Sequence, residues 1–325
     1  MKVAITGATG FVGRVVLRHL ADTGNTINII TRNKANFSHS YRNVTVYEGS
    51  IYNFHDLLPV FKDCEVVLHM ACMSSWDEIG DPKVKQVAVE GSITVARAAR
   101  ENCVPRLIYI SSAAAVGYLN SFDVTRHGLG PESYLSEPTD LWYAEAKLLA
   151  ERELNSFCTA NNMDLITLCP GEIYGPNDYK RVTAGNIETL LYSAMPITVA
   201  SGGVSVTSVL DVASAIVSSI TNGKPGTRYL LGGENLTMIE FAKLVRTVGG
   251  LHRLVVPLPA IIIKLAVILS KFFKLKPPVP EGLVPYLGKY WWIDSTLAIK
   301  DLAYEPRSAN ETVQSVITWL RNERK

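Results

Sequence analysis

The 325-residue chain exceeds the usual size of one compact domain, so a large unit with a smaller partner is expected. Apolar residues make up 47% and charged residues 19%, which suits a folded globular enzyme and excludes a disordered chain. A net charge of +2, from 32 Lys and Arg against 30 Asp and Glu, gives no electrostatic reason to expect nucleic acid as a partner.

Lys2–Thr6 reads as a buried strand. The apolar run after Met1 and Lys2 breaks at once into Gly7-Ala8-Thr9-Gly10, so no signal peptide is expected. Phe11–Thr23 reads as an amphipathic helix ended by Gly24, and Thr26–Thr31 as the second strand. Val44–Tyr47, Cys64–Met70, Arg106–Ile110 and Leu165–Cys169 read as further short strands, with helices over Val84–Asn102 and Leu141–Asn161. Such alternation signals βαβ units and a parallel sheet. After Pro170 the pattern changes. Gly171–Ser205 is rich in Gly, Pro, Asn and Tyr, as expected of a segment that lines a site rather than fills a core. Val209–Thr221 reads as a helix, Arg228–Leu231 as a strand, and 236–325 as mostly helical with a break at Pro277-Pro278-Val279-Pro280.

The expected fold is α/β, a Rossmann doubly wound parallel sheet with a smaller, mainly helical C-terminal unit. Residues 1–170 form the nucleotide-binding domain, with 206–232 returning to it, and 171–205 with 233–325 form the substrate domain. Pro259–Lys274 is too short and too Lys-interrupted to span a bilayer, which needs about 20 apolar residues. Lys264, Lys271 and Lys274 line up on one helix face, which fits either a core-facing or pocket-covering helix or one in peripheral contact with a membrane. The five cysteines form no CxxC pair and no ligand cluster with His, which points to reduced thiols in a cytoplasmic protein without metal.

Gly7, Gly10 and Gly13 give the spacing GxxGxxG directly after a strand and into a helix. Gly7 permits the tight turn, Gly10 lets the backbone approach a pyrophosphate, and Gly13 lets the helix pack closely. The anion then sits on free amides at the helix N-terminus. The second strand ends at Thr31-Arg32-Asn33-Lys34, with no carboxylate in that run. An Arg here accommodates a ribose 2′-phosphate, so NADP(H) is favoured over NAD(H).

Tyr143 and Lys147 form a YxxxK pair on the helix predicted over Leu141–Asn161, four residues apart and so on one face. A cation beside a phenol favours phenolate and eases proton exchange with a substrate oxygen. Upstream, the Arg106–Ile110 strand ends in Ser111-Ser112.

These motifs, with Leu68-His69-Met70-Ala71, Tyr109-Ile110-Ser111-Ser112 and Cys169-Pro170-Gly171-Glu172-Ile173-Tyr174-Gly175-Pro176, resemble successive signatures of the extended short-chain dehydrogenase/reductases over essentially the whole chain. Within that superfamily the chain is most similar to dihydroflavonol-4-reductase-like, hopanoid-associated epimerase-like and 3β-hydroxysteroid-dehydrogenase-like proteins. The resemblance implies that Tyr143 exchanges the proton while Lys147 lowers its pKa and holds the nicotinamide ribose. It implies that Gly7, Gly10, Phe11, Val12, Arg32, Met70, Ala71, Tyr143, Lys147 and Pro170 line the dinucleotide, with Gly171 and Ile173 near the nicotinamide. Two departures stand out. The position that carries the catalytic Ser or Thr in many members is Ala113 here, so the serine is assigned to Ser112, with Ser111 in reserve. The asparagine of an NVxGT motif is missing from Ala88-Val89-Glu90-Gly91-Ser92.

The substrate half offers Lys180, Arg181 and Arg228 for a diphosphate, yet Leu190–Ala200 and Leu254–Phe273 are strongly apolar and suit an apolar carbonyl or alcohol. The favoured reading is an NADP(H)-dependent oxidoreductase acting on an apolar small molecule. A sugar-nucleotide epimerase or dehydratase is the alternative, and a non-catalytic dinucleotide sensor is disfavoured by the intact Tyr143–Lys147 pair. A homodimer is compatible with this reading.

Overall fold

The structure is a computed structural model that describes every residue except 38–40, 74–78, 80, 82, 137–139, 253 and 325. The first part of the chain runs β1 (Lys2–Thr6), α1 (Phe11–Asp22), β2 (Thr26–Thr31), β3 (Val44–Glu48), α2 (Phe54–Phe61), β4 (Val66–His69), α3 (Lys83–Glu101), β5 (Arg106–Ile110), α4 (Trp142–Ala160) and β6 (Asp164–Pro170). There follow β7 (Glu172–Tyr174), α5 (Ala184–Tyr192), β8 (Ile197–Val199), β9 (Gly203–Ser208), α6 (Val209–Asn222), β10 (Arg228–Leu231) and β11 (Glu234–Thr237). The chain ends with α7 (Met238–Val248), β12 (Val256–Leu258), α8 (Ala260–Phe272), β13 (Tyr290–Trp291), α9 (Thr296–Leu302) and α10 (Ala309–Asn322).

Seven strands form one parallel sheet in the order β10-β6-β5-β4-β1-β2-β3. This is the expected doubly wound Rossmann sheet. Apart from the edge strand β3, its strands are buried on both faces, as their Val, Ile and Leu content requires. Val3, Ile5, Ile27 and Ile29 meet Val16, Leu20, Val212, Ile216, Ala298 and Leu302 from α1, α6 and α9. The alternate residues Ala4, Ile30, Val67 and Leu107 meet Leu57, Phe61, Val95, Ala99 and Leu154 from α2, α3 and α4. Chain order reverses between β1 and β4, which opens a crevice at the carboxyl ends of these strands.

A smaller sheet is built around β9, which pairs with β7, β11 and β13, while β8 pairs with β12. Its core joins Tyr174, Ile187, Leu191, Phe241, Val245, Val313 and Trp319. Gly171–Ser205 is more structured than its composition implies, because α5 buries Ile187, Leu190 and Leu191 inside a polar-looking stretch. Residues 206–208 complete β9 in the smaller sheet, whereas α9, expected with the substrate domain, packs on the large one.

The five cysteines are unpaired. Among the described residues no helix is long and apolar enough to cross a membrane, and no His, Cys, Asp and Glu cluster could hold a metal. In α8 only Ile263, Val267 and Ser270 are buried, so this helix turns most of its apolar side chains outward rather than into the core.

Candidate active site

The crevice is lined first by the turn from β1 into α1. Gly7 has φ +79°, and a Cβ there would lie 2.7 Å from the Ala71 amide nitrogen at the end of β4. At Gly13 a Cβ would meet the Gly7 carbonyl at 2.1 Å, so only glycine lets α1 start this close to the turn. Gly10 caps α1 with no side-chain hydrogen bond, its own amide donates to the Gly7 carbonyl at 3.0 Å, and no acidic residue occupies the first turn. This glycine cradle at an uncapped, positively polarised helix end fits a dinucleotide pyrophosphate. Val12 packs on the sheet core, and the Phe11 ring reaches toward Gly175, within 3.4 Å of where a Cβ would sit.

Beyond β2, Arg32 is exposed and its charge is felt at Tyr52. The Asn33 side chain caps the short turn Lys34–Asn36 by accepting from the Ala35 amide at 2.8 Å. Glu48, beside Thr31 in the neighbouring strand, accepts from the Lys34 amide at 3.3 Å. The sheet thus brings a carboxylate near the basic pair that the local sequence does not show. An open cleft of about 400 Å³ lies alongside, lined by Tyr52, Met73, Lys83, Gln86, Val87, Glu90 and Thr94.

The end of β4 is anchored from behind. Its Met70 amide donates to the Thr6 carbonyl at 3.1 Å and its Ala71 amide to the Thr6 hydroxyl at 3.4 Å. The buried His69 ring spans Thr6 at 2.7 Å and Ser92 at 2.9 Å. Burial and the nearby Lys147 cation push the His69 pKa down to about 3, so the ring is neutral. Ser92, which ends the run lacking the family's asparagine, is thereby committed to His69 and to the Ala88 carbonyl.

The catalytic candidates meet where β5 ends and α4 begins. Lys147 is buried, donates to the Ile110 carbonyl at 2.8 Å and to the Tyr109 hydroxyl at 3.4 Å, and lies 4.9 Å from the Tyr109 ring centre. Burial alone would lower its pKa, but Cys72, Tyr109 and Tyr143 outweigh that and hold the ammonium above its ordinary range. One turn earlier on α4, Tyr143 lies close enough to the Ser112 hydroxyl for that group to favour its ionised form. Burial raises the phenol pKa, while Lys147 and Ser112 pull it down without reversing the shift. The expected lowering by Lys147 is present, but desolvation is larger. Ser112 also caps the turn Ala113–Ala115, accepting from the Ala114 amide at 3.2 Å. Ser111 faces the other way and donates to the buried Glu151 carboxylate. Ala113 is buried against Val116 and Cys169.

Sequence reading passed over several neighbours of this group. Cys72 sits close enough to influence Tyr52, Tyr109, Tyr143 and Lys147 together. Tyr286, from the short turn Glu281–Tyr286, packs with Ala144 and lies within electrostatic range of Tyr143, and its ring lies 5.3 Å from Trp291, which in turn lies 5.1 Å from Tyr118. An aromatic wall therefore stands beside the proton-bearing phenol. Glu151 is held 2.8 Å from Arg228, which also donates to the Pro131 and Ser133 carbonyls. Only the i, i+4, i+8 spacing of Tyr143, Lys147 and Glu151 hinted that this acid shares their face. Past β6, Pro170 is buried at the strand end. The Gly171 amide donates to the Leu231 carbonyl at 3.0 Å, and the Ile173 carbonyl accepts from Thr183 at 2.6 Å.

The chain is 25% identical over 331 residues to a Synechocystis protein named "Putative dihydroflavonol 4-reductase", covering 98% of this chain and 94% of that one. It is 26% identical over 269 residues to an anthocyanidin reductase of Vitis vinifera, covering 74% and 79% of the two chains. Its backbone matches a UDP-glucose 4-epimerase of Thermotoga maritima, solved with UDP-glucose, at a TM-score of 0.79 and 19% identity over 100% of each chain. The sequence model of the NAD dependent epimerase/dehydratase family matches residues 3–232. The chain therefore belongs to that family, as an NAD(P)-dependent enzyme of the extended short-chain dehydrogenase/reductase type whose relatives include dihydroflavonol 4-reductases.

Proposed function

We propose that this enzyme is an NADP(H)-dependent oxidoreductase that reduces the ketone or aldehyde of a fairly apolar small molecule, or oxidises the corresponding alcohol. The observation that carries this reading is the juxtaposition of Ser112, Tyr143 and the buried Lys147, which donates to the Ile110 carbonyl at the end of β5. When bound, the nicotinamide supplies or accepts the hydride. Gly7, Gly10, Phe11, Val12, Gly13, Met70, Ala71, Pro170, Gly171 and Ile173 hold the cofactor in this reading, and Arg32 with Lys34 favours a 2′-phosphate. Ser112 donates to the substrate oxygen, and Tyr143 gives its proton to the developing alkoxide, which is costly to leave bare in a dry pocket. A phenol whose pKa lies above its ordinary value of 10.0 keeps its proton at neutral pH, which suits the reductive direction. Lys147 orients that phenol and binds the nicotinamide ribose.

The aromatic wall of Tyr118, Tyr286 and Trp291 supports an apolar substrate. The apolar segments singled out in the sequence do not, since Leu190 and Leu191 fill the smaller core and α8 faces outward. Against a sugar diphosphate, Arg228 is committed to Glu151, and Arg181 pairs with Glu188 at 3.3 Å and stacks 4.3 Å over Trp319. Residues 1–170 with 206–232 serve as the nucleotide domain in this reading, and the five free thiols suit a cytoplasmic setting.

Tyr143→Phe removes only the hydroxyl, so folding and cofactor binding are expected to survive while kcat falls by about 10²- to 10⁴-fold. The check is NADPH absorbance with a panel of ketones and aldehydes. Near-normal turnover in the variant would overturn the mechanism. An epimerase would instead convert sugar nucleotides with no net change in absorbance.

A further inference from the structure

Among the residues of α8, only Ile263, Val267 and Ser270 are buried. At about 100° per residue, Ile268, Ile261, Phe272, Leu265, Leu269 and Ile262 fall within one arc of about 120°. All six are between 47 and 79% exposed. Phe273 and Leu275 extend this surface, at 63 and 65% exposed. Lys264 and Lys271 border the arc, and Lys274 and Lys276 follow it. From Leu251 to Pro280 the sequence has no Asp or Glu, and the next acid, Glu281, pairs with Lys271 at 3.0 Å. So broad an apolar face on a single exposed helix marks an interaction site.

We propose that α8 and the segment to Lys276 dock this enzyme on an anionic lipid bilayer. The helix lies in the plane of the membrane, its apolar arc among the outer acyl segments and its lysines on the headgroups. Charge decides between this surface and a second copy of the chain. A two-fold interface would set the same segment against itself, and from Leu251 to Pro280 it brings lysines and no carboxylate to meet them. An anionic headgroup layer supplies that missing charge. With thirteen residues the helix is too short to cross, so the contact is peripheral.

The test is flotation of the full chain with vesicles of phosphatidylcholine alone or of equimolar phosphatidylcholine and phosphatidylserine. The parent is expected to float with the anionic vesicles and not with the neutral ones, and to be released as salt rises. Ile268→Ser with Phe272→Ser, and separately Lys274→Glu with Lys276→Glu, are each expected to weaken binding at least tenfold. These side chains are exposed, so thermal unfolding and solution activity should match the parent. The proposal is overturned if the parent stays with the unbound fraction on anionic vesicles, or if the variants float as well as the parent. It is equally overturned if the parent is a dimer that the Ile268→Ser, Phe272→Ser variant splits.

Discussion

Arg32 stands at the crevice with an exposed side chain, free of the burial that fixes Lys147. A guanidinium there can meet a 2′-phosphate with two parallel hydrogen bonds, which a ribose hydroxyl cannot match. Opposing it, Glu48 contacts the Lys34 amide and places a negative charge nearby. The purified protein is expected to bind NADPH more tightly than NADH in a fluorescence titration, and Arg32→Asp to erase the difference. Equal affinities in the parent would refute the assignment. Tyr143, Lys147 and the three glycines could be picked out in the sequence because local spacing declares them, and Ser112 through the family resemblance. Glu48, Cys72 and Tyr286 could not, since each reaches the crevice from a different part of the chain and only the folded sheet brings them together.

At the level of elements, α1 shows how tightly a turn can bind composition. A methyl at Gly13 would overlap the Gly7 carbonyl, whereas at Gly10 it would meet the same oxygen at 3.2 Å. Gly13→Ala is therefore expected to lower stability by about 1–3 kcal/mol, as overpacking does. Gly10→Ala should spare the fold and weaken cofactor binding. Thermal unfolding with and without NADPH separates the two, and equal melting temperatures for Gly13→Ala and parent would refute the packing argument. The long periodic helices α1, α3, α4 and α6 were legible because one face repeats through several turns. The eight-residue α2 was not, since Pro59 interrupts its pattern although Leu57, Val60 and Phe61 are buried. Nor was the packing of α9, which joins α6 and β10 through Ala298 and Leu302 at a distance in sequence no periodicity conveys.

Across the whole molecule, the Glu151–Arg228 pair ties α4 to the last strand of the large sheet, both side chains being under 10% exposed. Removing one partner of a buried pair strands the other, so Arg228→Met is expected to cost about 3–5 kcal/mol, and adding Glu151→Gln should recover part of it. Chemical denaturation of both variants measures this, and equal losses would argue against a buried charge as the cause. The same pair has a consequence for how the chain is made. A nascent polypeptide presents the Glu151 carboxylate to the cell long before Arg228 has been synthesised. Until β10 arrives, that charge favours water over the space behind Ser111, and α4 cannot settle. The first half is thus expected to mature only once translation has passed residue 231. In a series of stalled ribosome complexes, the Glu151→Gln, Arg228→Met chain should resist protease at shorter lengths than the parent, because it has no counterion to wait for.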